Sequence, residues 1–223
     1  NNFNGVNFMN MGHKTGVRES FEPTNDLFIE IDYDGYHPRL IADLVDFSFE
    51  DKGVHNTLAE IYFDTDNVTD EQYKKSKEIT FQQIYGGIRK EYTNHPFFKK
   101  AQEYIDLNWE LFNANGYVET SLGKKIRKEH HPDITPQRLF NYLIQATETE
   151  TNMDVVFKLT KYLRRGNKKT KLCLYVYDSF LIDYSHEDGV DTLLEIKQLI
   201  SEKFPVKMKK GTNYNTLEPF GKK

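Results

Sequence analysis

The chain reads as an α+β protein, an antiparallel sheet combined with a set of amphipathic helices. Three observations predict this. DLFIEID (26–32) alternates apolar and acidic residues, the period-2 pattern of a strand with one buried face. KLCLYVYDSFLIDYS (171–185) holds two apolar runs around Tyr177-Asp178-Ser179, which reads as two strands joined at a turn. Between and after these stretches the apolar residues take helical spacing, so the sheet is centred on 171–185 and the intervening chain is largely helical.

Taken in order, the first 20 residues, rich in Asn, Gly and Met, lack periodicity and read as loop. Strand 26–32 ends at Asp32, and YDGYHP carries turn chemistry in Gly35 and Pro38. RLIADLVDF (39–47) and NTLAEIYF (56–63) have helical spacing. The helix of 69–87 opens with Thr69 and carries Gln72 three residues on, a capping-box pattern, and stops at Gly86-Gly87. Residues 96–116 form a long amphipathic helix closed by Gly116. GYVETSLGKK (116–125) reads as a hairpin with Gly123 in its turn. A Thr cap followed by Pro opens a helix over most of 135–165. Residues 190–204 are a further amphipathic helix, and VKMKK (206–210) is a last short strand.

The bulk numbers narrow the class. The 223 residues are 38% apolar and 29% charged, with 14% aromatics, a globular composition able to build a core. The net charge of −4 gives no general signature of a nucleic-acid binder. Local basic runs such as KYLRRGNKKTK (161–171), Lys74-Lys75 with Lys77, and Lys124-Lys125 with Arg127-Lys128 leave phosphate binding open. A single cysteine, Cys173, excludes a disulfide framework and a cysteine-built zinc site. No apolar run reaches membrane-spanning length and no signal peptide is seen, so the expectation is a cytoplasmic protein with no membrane partner.

Asp32 alone reads as a strand-end residue capping the next helix, and Asp178 alone as a turn residue. Yet Tyr177-Asp178-Ser179 contains no glycine and lies between apolar runs. Two aspartates at the ends of neighbouring strands are the arrangement that binds a pair of Mg²⁺ ions for phosphoryl or nucleotidyl transfer. On the helix of 69–87, Tyr73, Lys77, Phe81 and Tyr85 fall four apart and form one stripe. The stripe is either a buried aromatic seam with a snorkelling lysine or a site where the lysine meets a phosphate and the rings meet a base and sugar.

Together these elements resemble a known family. Asp–turn–helix, then K-x3-F-x3-YG, then an apolar hairpin with Asp at its tip is similar to motifs A, B and C of the family A DNA polymerases, the bacterial repair polymerases and many phage replicases. VNFMNM (6–11) with GVRESF (16–21), IDYDGYHPRLIADL (31–44), VHNTLAEIYF (54–63), TDEQYKKSKEITFQQIYGG (69–87), GYVETSLGKK, NYLIQATETE (141–150) and LYVYDSFLI (174–182) resemble seven family motifs in their order. The implied fold is a polymerase palm with an antiparallel sheet, plus a helical fingers subdomain. Residues 1–66 would be the first part of the palm, with motif A. Residues 67–134 would be the fingers with the return hairpin, and 135–223 the second part of the palm, with motif C. The family's thumb and exonuclease domains would lie outside this chain, in the same or a partner polypeptide.

The resemblance also implies roles. Asp32 and Asp178, with the backbone carbonyl of Tyr33, would hold two Mg²⁺ ions. Lys77 would contact the triphosphate of a dNTP, and Phe81 and Tyr85 would pack on the incoming nucleotide. Gly86 would let backbone approach closely, His55 would lie near the triphosphate, and Arg39 would brace the site. Asn141 and Gln145 would touch primer–template DNA, with Arg18 a further palm contact. Some residues depart from the pattern. His37 stands where the family carries the glutamate that rejects ribonucleotides. Tyr73 replaces an arginine, with Lys74 beside it as a substitute charge. Tyr177 and Ser179 replace the histidine and glutamate that flank the catalytic Asp, and the segment from Gly87 to Tyr117 is short by about one fingers helix. Two other readings use the same residues. A phage-type single-subunit RNA polymerase shares the motif order and a serine after its last aspartate. A non-catalytic nucleic-acid-binding replisome subunit would need no catalytic set at all.

Overall fold

The computed structural model describes residues 11–12, 16–49 and 53–220. In chain order its main elements are β1 (Leu27–Tyr33), α1 (Tyr36–Leu44), α2 (Val54–Phe63), α3 (Asp70–Gly86), α4 (Pro96–Asn115), β2 (Tyr117–Glu119), β3 (Lys125–Arg127), α5 (Pro136–Arg165), β4 (Lys171–Val176), β5 (Ser179–Tyr184), α6 (Gly189–Ile200), β6 (Val206–Gly211) and β7 (Glu218–Pro219). The chain divides into two compact units, Asn1–Asp34 with Asn152–Lys223, and Gly35–Thr151. The second division falls inside α5.

The first unit holds one antiparallel sheet in the order β4-β5-β1-β6-β7. Its centre is β1, whereas the sequence had pointed to 171–185. β1 is hydrogen-bonded on both edges, to β5 and to β6, and its alternate residues Ile29, Ile31 and Tyr33 are buried. Ile29 faces Ile182 and Ile31 faces Phe180 across the β1–β5 pair. Tyr33 meets the rings of Phe180 and Phe204 edge-on, at 5.9 and 6.2 Å. α6 contributes buried Leu193, Ile196 and Ile200, and Leu193 lines a hollow with Leu27, Ile29 and Met208 of this same face. Each such apolar side chain removed from water is worth about 1.5–3 kcal/mol, so the register is strongly specified: a one-residue slip would exchange the two faces. The opposite face is apolar at one end, where Phe28, Leu181, Met11 and Tyr214 cluster, and polar at the other, where Glu30, Asp32 and Ser179 follow.

The second unit is helical. α4 packs Phe97, Phe98, Ala101 and Ile105 inward, with Phe97 5.4 Å from the ring of Phe47 and Phe98 6.1 Å from that of Tyr62. A second cluster joins Phe112 of α4, Val118 and Ile126 of the β2–β3 hairpin, and Leu139 and Leu143 of α5. α3 is fixed at its start by the expected capping box: Gln72 N–H donates to Thr69 Oγ1 at 3.2 Å, and Thr69 N–H to Gln72 Oε1 at 2.9 Å.

Some boundaries move. The first helix begins at Tyr36 and ends at Leu44, three residues ahead of the expected 39–47. Gly35 takes a left-handed φ of 66° before it, and Pro38 sits in the first turn, where its missing N–H would have had no helical partner. The last helix stops at Ile200 rather than at 204. Ser179 already belongs to β5 and pairs with Val176, so the β4–β5 turn is the two residues Tyr177 and Asp178. β7 had no signal in the sequence. The helices of 96–115 and 136–165, the hairpin around Gly123 and the strand of 206–211 form as expected. Of the 6–11 stretch only Met11 lies within the described residues.

Candidate active site

In the sheet unit, Asp32 is the next-to-last residue of β1 and faces Ser179 across the β1–β5 pair. Asp178 is the second residue of the β4–β5 turn, and its carbonyl accepts a hydrogen bond from Tyr33 N–H at 3.2 Å. The ladder thus brings the two carboxylates together. Burial comes first, then the charges of Asp178 and Glu30, and together they push the Asp32 carboxyl up to about 7; Lys209 and Lys207 on β6 pull the other way. A hollow of about 390 Å³ is lined by Glu30, Arg18, Tyr177, Asp178, Ser179 and Tyr214.

The turn that presents Asp178 is strained and clamped. Tyr177 has a φ of 54°, a left-handed conformation that glycine or asparagine normally supplies in a two-residue hairpin. Asn152 of α5, fully buried, donates from Nδ2 to the Tyr177 carbonyl at 3.0 Å and to Tyr175 Oη at 2.9 Å. Arg18 Nε donates to the Met11 carbonyl at 2.7 Å, and its guanidinium lies 4.6 Å from the Tyr214 ring centre.

The helical unit gathers the rest. On α3 the buried positions are Ser76, Thr80, Gln83 and Ile84. Tyr73, Lys77, Phe81 and Tyr85 lie off that face, and Phe81 is 45% exposed, so the stripe is no buried seam. Small polar residues serve the packing: Ser76 Oγ donates to the His55 carbonyl at 3.0 Å, and Thr80 Oγ1 meets Tyr62 Oη at 3.0 Å. Lys77 Nζ stands 4.6 Å over the Tyr73 ring, which meets buried His55 edge-on at 6.0 Å. Phe81 and Tyr85 stack at 6.0 Å and 9°. The His37 ring stands edge-on to both, at 6.4 and 5.8 Å. Lys74 is exposed on another face, and Arg39 is half-buried on α1.

The end of α3 is held by α5. Gln137 Nε2 donates to the Ile84 carbonyl at 2.5 Å, and Asn141 Nδ2 to the Tyr85 carbonyl at 3.1 Å, satisfying carbonyls that a helix end leaves unpaired. Asn141 therefore supports the Tyr85 backbone. Gln145 is exposed and lines a hollow of about 400 Å³ with Lys124, Lys125, Arg127, His131 and Tyr142. A Cβ built on Gly86 meets nothing within 4 Å, so packing within the described chain does not demand glycine there.

Sequence reasoning missed Glu30, Asn152 and Glu148. Glu30 was legible, since two residues before Asp32 on a strand means the same face. Asn152 and Glu148 sit in a run of Thr, Glu and Asn whose pattern gave no sign of which would be buried.

No family model matches the chain. The α+β fold is shared with a solved structure: the chain superposes on the POL domain of Pol1 from M. smegmatis, solved in complex with DNA primer-template and dNTP, with a TM-score of 0.81 and 17% identity over 95% of this chain and 45% of that one. Its curated relatives carry one name, DNA polymerase I. The protein of Caldicellulosiruptor bescii is 26% identical over 89% of this chain and 28% of its own length. That of Streptococcus pneumoniae is 25% identical over 83% of this chain and 25% of its own. The resemblance to family A DNA polymerases therefore holds over most of the chain, which spans about a quarter of the length of these relatives. Among the described residues no helix is long and apolar enough to cross a membrane.

Proposed function

We propose that this chain is the palm-and-fingers catalytic region of a template-directed DNA polymerase, joining dNTPs to a primer 3′-hydroxyl with two Mg²⁺ ions. The observation that carries the reading is the pair Asp32 and Asp178, set side by side by the β1–β5 ladder and the Tyr33 N–H to Asp178 carbonyl bond, where burial first and the Asp178 charge second push the Asp32 carboxyl up to about 7. In this reading residues 1–66 and 135–223 serve as palm and 67–134 as fingers with the return hairpin.

The donor set suits the ion. Two carboxylates are hard oxygen ligands, and their mutual repulsion is what a divalent cation relieves. Among the described residues no group of three or more His, Cys, Asp or Glu is placed to hold a metal. The protein would thus offer Asp32, Asp178 and the Tyr33 carbonyl and leave positions for water and phosphate oxygens, as Mg²⁺ commonly requires. When bound, the two ions would supply charge neutralisation to the triphosphate and acidify the 3′-hydroxyl. Lys77, a compact, half-buried cation on that stripe, would donate to the triphosphate, with His55 and Tyr73 fixing its base. Phe81 and Tyr85 would stack on the nucleotide, His37 would stand against its sugar, and Arg39 would brace the helix that carries His37. Lys74, Gly86, Gln145 and Arg18 would meet backbone phosphates or DNA at the edges, and Asn141 would act through Tyr85.

The test is primer extension by the full-length protein with Mg²⁺ and either dNTPs or NTPs, wild type beside Asp178→Asn. Extension with dNTPs that the variant loses by about a thousandfold or more is the expected result, since a ligand needed throughout the reaction is removed. A preference for NTPs would overturn the choice of substrate, and no extension with either would overturn the enzyme.

A further inference from the structure

Glu148 of α5 is a carboxylate with 7% exposure, and the motif reading gave it no role. Its Oε2 lies 3.0 Å from His37 Nε2. Its Oε1 is buried and has no hydrogen-bond partner among the described residues. His37 Nδ1, on the other side of the ring, lies 3.2 Å from Tyr85 Oη.

A carboxylate can only accept, so Nε2 carries a proton and donates to Glu148. In the neutral ring Nδ1 then accepts, and Tyr85 O–H is the donor. One acceptor on α5 thereby sets the tautomer of His37 and, through it, the direction of the Tyr85 hydroxyl. The same contact fixes the plane of the His37 ring against Phe81 and Tyr85. Burial of the carboxylate is in turn tolerated through His37, because Oε1 has no other hydrogen bond to compensate it among the described residues.

We infer that Glu148 is a positioning residue that sets sugar specificity, by holding the His37–Tyr85 pair as a rigid wall against the 2′-position of the incoming nucleotide. This rests on the reading of the Phe81–Tyr85–His37 cluster as the nucleotide site. Without Glu148 the imidazole populates both tautomers and several ring orientations, the Tyr85 hydroxyl loses its acceptor part of the time, and a 2′-hydroxyl is accommodated.

Two variants of similar volume separate this role from a structural one. Glu148→Gln retains an oxygen that can accept from Nε2, and Glu148→Met retains none. The measured quantity is the ratio of dNTP to NTP incorporation efficiency, together with ¹⁵N spectra of the His37 ring. The expected result is a ratio lowered about tenfold or more in Glu148→Met, the worth of one lost hydrogen bond, a mixed tautomer signal in the same protein, and a ratio near wild type in Glu148→Gln. His37→Ala with Glu148→Met should be no worse than His37→Ala alone. A Glu148→Met protein that loses dNTP and NTP activity equally, or keeps the wild-type ratio, overturns the inference while leaving the polymerase reading intact. A wild type that incorporates neither nucleotide overturns that reading itself, and the inference with it.

Discussion

In metal-free buffer at pH 8, Asp32→Asn should make the protein more stable. The Asp32 carboxyl is raised from 3.8 to about 7 in the folded chain, so the folded state binds its proton more tightly than the unfolded state does. Below about pH 4 both states are protonated and Asp32 is neutral to stability. As the pH rises from about 4 to about 7 the unfolded chain releases the proton first, so folding loses free energy through that window and stays at the lower level above it. A shift of about three units is worth about 4 kcal/mol at full strength. Asp32 is only half-buried, and screening by water cuts this to about 1–2 kcal/mol. For a chain of this length the gain corresponds to about 2–8 °C in Tm. The assay is thermal unfolding of both proteins at pH 4 and pH 8, without and with Mg²⁺. The variant should melt higher at pH 8 only, and Mg²⁺ should stabilise the wild type more than the variant, since a cation relieves the same repulsion. A variant equal to or below the wild type at pH 8, or one stabilised equally at both pH values, would refute the reasoning that the ionised Asp32 is held at a cost, by burial first and by the Asp178 charge second.

Asn152→Ala should cost about 2–4 kcal/mol, since it removes two buried hydrogen bonds and leaves a cavity; chemical denaturation measures this. The variant should also lower kcat more than it raises KM, because Asp178 rides on the turn that Asn152 clamps. Two substitutions on α3 should separate packing from binding. Phe81→Ala should leave Tm within about 2 °C, a surface substitution away from the packed face, while weakening nucleotide affinity as read by extension kinetics. Ser76→Ala should do the reverse, costing about 1–2 kcal/mol through its lost bond to the His55 carbonyl with little change in KM.

The parts of the fold legible in the sequence were those dictated by local chemistry. The capping box at Thr69, the glycine stops at 86–87 and 116, the alternation of 26–32 and the spacing along 96–115 each act within a few residues, so each could be read off the chain. The candidate catalytic residues were legible for a related reason: Asp32, Lys77 and Asp178 break the pattern of the element that carries them. Missed were residues whose importance is created by a partner far away in the chain. Asn152 is a polar residue on a long helix until the Tyr177 carbonyl needs a donor, and Glu148 is one glutamate among several until His37, 111 positions away, is set against it. The start of α1 was misplaced because Pro38 is a breaker in most contexts and harmless in a first turn.

Short-range patterns in the chain were enough for the α+β class, most of the helices, the antiparallel hairpin with Asp178 at its turn, and the family the chain resembles. These depend on periodicity, turn chemistry and ordered motifs, all short-range. Tertiary structure decided that β1 is the centre of the sheet, which face of α3 is buried, and that Asp32 sits across from Ser179 with its proton held to about 7. It also decided that His37 is oriented by a carboxylate from α5. Each of these is fixed by strand register or helix packing between distant segments, where burial and charge depend on what the rest of the chain brings alongside.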